Sequence, residues 1–236
     1  PATTDTREII VEILLDLEKG QDFSHKLIKA VLDKYDYLDP RDKAFIKRVT
    51  EGTIERQLEL DYYLNRFSSV PVRKMKSLIR CLLRMSTYQI LYMDAVPDSA
   101  VCNEACKLAA KRGFRTLKGF VNAVLRNISR SKDKMPLPDP ADPVKYFSVK
   151  YSMPEWIVNL WLPVYGMEGT ETLLMGLLKI HPVSLRFCLE LSETDREDLK
   201  KKIEATGVHL SAHKELPYVY LAENLENVSE LPGFAE

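Results

Sequence analysis

Between Gly113 and Arg130 the chain reads GFRTLKGFVNAVLRNISR, and Arg115, Lys118, Asn122, Arg126 and Arg130 recur in it at helical steps. Such spacing sets them on one face of an α-helix, while Phe114, Leu117, Phe120, Val121, Val124, Leu125 and Ile128 share another. Cations beside an amide can hold phosphates and read a base edge, which is the chemistry of RNA recognition. Asn122 has a second reading, as an amide that caps or bridges helices. Arg112 lies just upstream, and Arg73, Lys76, Arg80 and Arg84 form another stripe, each about one turn from the next. Both stripes also have a plainer reading, as solvated helix surface.

The formal net charge is +0, but it is unevenly spread. From Pro71 to Lys134 there are 14 Lys and Arg against 4 Asp and Glu, a local charge of +10 that the rest of the chain must cancel. Such a block attracts phosphates whatever the total charge.

Other chemistries find little support. No GxGxxG or Walker loop is present, so no phosphate cradle is expected. Cys102 and Cys106 stand one turn apart but lack the second ligand pair that zinc needs, so no metal is expected. His25, His181, His209 and His213 have no carboxylate partner pattern, and Cys188 reads as a small buried strand residue. With no signal peptide, no apolar run long enough to span a bilayer and no paired-cysteine framework, the expectation is a cytoplasmic monomer with reduced thiols.

About seven helices should position these groups. Thr4 or Asp5 caps the first, Asp39-Pro40 opens the third, and Gly52 marks a kink or a close packing point. A long run from Pro71 to Met93 carries the second stripe, Asp98 or Ser99 caps the next helix, and Gly113 closes it. Gly119 and Ala123 would admit a neighbouring helix closely. Four prolines between Met135 and Pro143 read as a semi-rigid linker. The expected division is therefore 1–134 helical, 135–150 linker, and 151–236 helices followed by a small α/β unit. In that last part Pro154 opens a helix, and Trp156 and Trp161, spaced with leucines, read as core rather than as base-stacking platforms. Val183–Leu189 and Tyr218–Leu221 read as strands, with a Thr194/Glu197 capping box on the helix between them. Leu231-Pro232-Gly233-Phe234 closes nothing identifiable.

The segment Leu82–Arg130 resembles the N-terminal domain of the Fmu/Sun-type rRNA cytosine-5 methyltransferases, itself similar in fold to the all-helical RNA-binding factor NusB. The resemblance rests on Leu83-Arg84 with Tyr88, Asp94 with Val96-Pro97, Asn103-Glu104-Ala105 and, most specifically, Lys118 to Arg126, KGFVNAVLR. Asp39–Glu55 resembles the third-helix region. Further on, Tyr151–Trp156, Tyr165-Gly166, Leu185-Arg186-Phe187 and Leu231–Phe234 are similar to the segment leading into the methyltransferase domain, although Cys188 replaces the family's usual asparagine.

The resemblance implies a mainly α protein: a NusB-like helical domain followed by a small, incomplete α/β (RRM-like) domain. It implies ribosomal RNA as partner and a catalytic methyltransferase domain in cis beyond Glu236, with S-adenosylmethionine as the cofactor of the full-length enzyme and none in this chain. The family's two catalytic cysteines lie in that later domain, so none of the four here inherits their role, and no catalytic residue is assigned. Arg112, Arg115, Lys118, Asn122, Arg126 and Arg130 are the expected RNA contacts, with Arg73, Lys76, Arg80 and Arg84 behind them and Arg186 near the substrate path. A stand-alone NusB-like module in antitermination or ribosome assembly is the alternative, and a helical protein-interaction scaffold a third.

Overall fold

A computed structural model describes residues 5–20, 23–179, 182–225 and 228–234. Thr4 and His181 lie outside the described residues. Two compact units are present, Pro1–Leu177 and Leu178–Glu236.

The first unit is all-helical. Asp5 caps α1 (Thr6–Glu18) by accepting from the Arg7 amide at 3.0 Å. Helix α2 (Ser24–Lys34) follows, and the Asp39 cap and Pro40 begin α3 (Pro40–Glu55), which leads to α4 (Gln57–Phe67). The long run after Pro71 is two pieces, a 3-10 turn Val72–Lys74 and α5 (Ser77–Tyr92). Arg73 and Lys76 therefore precede α5 and do not share a continuous helical stripe with Arg80 and Arg84. Helix α6 (Asp98–Lys111) ends before Gly113, whose φ of +88° is left-handed. Neither Asp98 nor Ser99 caps α6; Asp98 lies in its first turn and accepts from the Ser129 hydroxyl at 2.6 Å. The basic segment also divides, into a 3-10 turn Arg115–Leu117 and α7 (Lys118–Ser131).

α5 is the centre of this unit: residues from Leu78 to Ile90 are buried on nearly every side of it, against α1, α3, α4, α6 and α7. Gly52 of α3 is the close packing point, because a Cβ placed there would lie 2.1 Å from the Tyr88 ring. No described helix exploits Gly119 and Ala123, which are exposed; α7 docks through Val121, Val124, Leu125 and Ile128 instead.

The segment expected as a linker is extended only to Asp139, where a turn closes with the Asp142 amide donating to the Asp139 carbonyl at 3.0 Å. Asp142 accepts from the Lys145 amide at 3.2 Å and Pro143 starts α8 (Pro143–Lys150), repeating the cap-plus-proline device of α3. Phe147 is buried and the Ser152 hydroxyl accepts from the Leu58 amide at 3.1 Å, so α8 belongs to the helical unit. Helix α9 (Glu155–Leu177) is broken at Gly166, φ +66°. Trp156 is not core: it is 68% exposed, and α9 buries Val158, Thr170 and Leu174.

The second unit holds a three-stranded antiparallel sheet, order β1 (Val183–Arg186), β3 (Val219–Glu223), β2 (His209–Ala212), and helix α10 (Glu193–Glu204). Arg186 pairs with Val219, and Leu210 with Ala222. Phe187, Ile203, Val208, Leu210 and Ala222 form its core, and Leu231 packs against it. β1 ends at Arg186, so Cys188 lies beyond the strand and is exposed. The helix cap is Ser192, which accepts from the Asp195 amide at 3.2 Å, rather than Thr194. β2 is a strand that sequence patterning missed.

Gly52→Ala should lower stability by about 1–3 kcal/mol, because the added methyl must displace the buried Tyr88 ring. Chemical denaturation checks this, and an unchanged midpoint would contradict the packing.

Candidate nucleic-acid interface

Burial decides which cations can meet a ligand. Arg84, on buried α5, is 9% exposed, and its guanidinium is answered on both edges. Its Nε and Nη2 donate to the two carboxylate oxygens of Asp61 on α4, both at 2.7 Å, and its Nη1 donates to Glu18 on α1 at 3.0 Å. Arg80 Nε donates to the same Glu18 carboxylate at 2.7 Å. This four-residue network lines a cleft of about 750 Å³ that is also bordered by Arg73. Burial pushes the Glu18 carboxyl up, but the Arg80 hydrogen bond and the charges of Arg80 and Arg84 outweigh it, leaving the group below its ordinary value of 4.5. Arg80 and Arg84 are thus engaged in holding three helices together.

Arg112 is likewise engaged, donating to Glu12 at 2.9 Å and lying 3.5 Å from Glu8. Among the described residues, Arg115, Lys118, Arg126, Arg130, Arg73, Lys76 and Arg186 have no carboxylate within ion-pair distance. Of these, Lys118 and Arg126 share a site with Asn122.

That site is a shallow cleft of about 620 Å³ between α6 and α7. α7 contributes Lys118, Gly119, Asn122 and Arg126; α6 contributes Asn103, Glu104 and Lys107. The α7 groups face it because Val121, Val124, Leu125 and Ile128 occupy the opposite, buried side. Arg126 Nε donates to Asn122 Oδ1 at 3.2 Å, which orients the amide and leaves its NH₂ as a donor. Lys107 pairs with Glu104 at 2.7 Å, the one anion in the cleft. Under the site Cys106 donates weakly to the Lys118 carbonyl at 3.6 Å, and burial pushes the Cys102 and Cys106 thiols up, away from the reactive thiolate. Three cations, two amides and one carboxylate have no obvious bond-making role. They suit binding of an extended anion.

Asn103 and Lys107 were not among the expected contacts. They lie one turn apart on α6, opposite the buried Val101, Ala105 and Leu108, and the packing of α6 against α7 brings them beside the α7 stripe. Arg115 sits on the 3-10 turn before α7 and Arg130 in its last turn, so neither lines the cleft. Arg73 and Lys76 belong to the α4–α5 side, and Arg186 to the second unit. No described helix is long and apolar enough to cross a membrane.

Residues 4–130 match the NusB family, and they coincide with α1–α7. The chain belongs to the NusB family. Its NusB domain is similar in fold to the solved structure of T. maritima NusB, with 22% identity, a TM-score of 0.50, and coverage of 56% of this chain and 91% of that one. The solved structure of PH0851 matches further, over 96% of this chain and 50% of that chain, with 17% identity and a TM-score of 0.65. Among curated proteins, the probable ribosomal RNA small subunit methyltransferase B of Bacillus subtilis is 33% identical over 88% of this chain and 45% of its own length. The corresponding protein of Synechocystis is 26% identical over 98% of this chain and 51% of its own length. The transcription antitermination protein NusB of Acetivibrio thermocellus is 27% identical over 54% of this chain and 88% of its own length. The chain therefore spans about half the length of the methyltransferase relatives it matches.

Two measurements separate structural from free cations. Arg84→Met should lower stability by about 3 kcal/mol, since Asp61 and part of Glu18 lose their partner, whereas Lys118→Glu should leave the unfolding midpoint nearly unchanged. Because the Glu18 pKa is depressed on folding, its contribution is present above 4.5 and is lost as pH falls through the folded value. Glu18→Gln should therefore flatten the acid limb of the stability–pH curve; an acid limb as steep as wild type would contradict the network.

Proposed function

We propose that this chain is the RNA-recognition half of an S-adenosylmethionine-dependent rRNA (cytosine-5-)methyltransferase acting in the cytoplasm. The observation that carries this reading is the reach of the similarity. Methyltransferase relatives match 88–98% of the chain, through α8, α9 and the second unit, whereas the antitermination relative matches 54%. A stand-alone antitermination module would not need the rest.

In this reading the α6–α7 cleft binds ribosomal RNA. Lys118 and Arg126 neutralise phosphates, with the Lys107–Glu104 pair beside them, while the Asn122 and Asn103 amides meet base or ribose groups. Arg115 and Arg130 extend the positive surface to either side, and Arg186 of the second unit is a further candidate contact to the substrate RNA. Arg73 and Lys76 supply peripheral charge. Arg112 adds little, because Glu8 and Glu12 already answer it.

We place the S-adenosylmethionine site outside this chain. The described sheet is three antiparallel strands, with no glycine-rich strand–turn–helix to receive a nucleoside. Methyl transfer is assigned to the region that the relatives carry beyond the matched half, and this half holds the substrate in place for it.

Titration of a small-subunit rRNA fragment at several salt concentrations tests the assignment. Lys118→Glu with Arg126→Glu should weaken binding by roughly tenfold or more and reduce the salt slope of log K by about 2. Unchanged affinity in the double variant would overturn the site.

A further inference from the structure

Helix α9 presents the largest concentration of uncovered apolar side chains in the helical unit. Trp156, Leu160 and Val164, spaced four apart and thus on one stripe, are 68%, 61% and 70% exposed. Tyr165 and Met167 continue the patch at the Gly166 break, each half exposed. Single exposed leucines are ordinary, but a contiguous aromatic and aliphatic stripe is the kind of exposed apolar patch that marks an interaction surface.

The chemistry of the stripe narrows its occupant. Glu155–Leu177 contains no Lys or Arg, and Glu155 and Glu168 stand exposed beside the patch. An anionic backbone such as RNA would gain nothing there. A protein surface would bury the rings and branched chains. The matched relatives are about twice as long as this chain, so a further half exists in them that has to rest on something. A tethered partner also meets the face at high effective concentration, which an independent copy does not.

We propose that the Trp156–Leu160–Val164 face of α9 is the docking surface for the catalytic half of the same polypeptide. The inference rests on the functional reading above, since it requires that half to exist. Docking there fixes the helical unit relative to the catalytic domain, so that RNA held on α6–α7 is presented at a set distance from the methyl donor. Trp156 is the anchor, as the largest side chain in the stripe.

Hydroxyl-radical footprinting read by mass spectrometry tests this on the 236-residue chain and on the longer protein side by side. Trp and Met side chains oxidise readily when exposed. Oxidation of Trp156 and Met167 should fall about fivefold in the longer protein, while exposed Phe23 stays equally reactive in both. Leu160→Glu, at an exposed position that folding does not need, should restore the oxidation of Trp156. Equal oxidation of Trp156 in the two proteins would overturn the proposal. So would protection in the 236-residue chain itself, whether constant or rising with concentration as a second copy would cause. If Trp156 is protected in a longer protein that shows no methyl transfer from S-adenosylmethionine, the functional reading fails and the docking face stands. If methyl transfer occurs with Trp156 still open, the reverse holds.

Discussion

Helix α5 is buried on almost every side, and the charged and amide groups it carries must be answered from other helices. Arg84 draws Asp61 from α4 and Glu18 from α1; Gln89 accepts from Arg7 of α1 at 3.1 Å; Tyr92 donates to Glu59 of α4 at about 2.7 Å. Unanswered, each would face the cost of a polar group removed from water. These bonds fix α1 and α4 around α5 and consume the arginines that the sequence offers on that helix. Among the cations that no carboxylate answers, Lys118 and Arg126 of α7 are the two that share a cleft with amide groups.

Glu59 illustrates the opposite balance. Burial pushes its carboxyl up, against the pull of Tyr92, Arg56 and Tyr63. Its raised value means that its contribution to stability is present at low pH and is lost as pH rises through the folded value, opposite in sign to that of Glu18. The helical unit thus contains one carboxylate held ionised by arginines and one held towards neutrality by its surroundings, within the same shell around α5.

Local signals with a direct physical cause were legible in the sequence. The Asp39-Pro40 start, the Gly52 contact, the Gly113 stop and the apolar face of α7 follow from capping, sterics and periodicity, and the structure has each of them. The same device at Asp142-Pro143 was hidden by the neighbouring prolines, so a helix of the compact unit read as linker. Periodicity also cannot say which side of an all-apolar helix is buried, and Trp156 read as core for that reason. At the candidate site, Lys118, Asn122 and Arg126 were visible as one stripe. Asn103 and Lys107 were not, because their place beside it depends on how α6 packs against α7. Arg80 and Arg84 looked equivalent to the free cations, since their carboxylates are more than 20 residues away in sequence.

In the proposed function, RNA recognises the charge left unneutralised on α7 beside α6. Acetylation of lysines with and without bound small-subunit rRNA, read residue by residue, tests it directly. Lys118, which no carboxylate answers among the described residues, should lose reactivity when RNA is present, while Lys19 and Lys43, each paired with an aspartate, keep theirs. Protection of Lys19 and Lys43 with Lys118 left fully reactive would contradict the account.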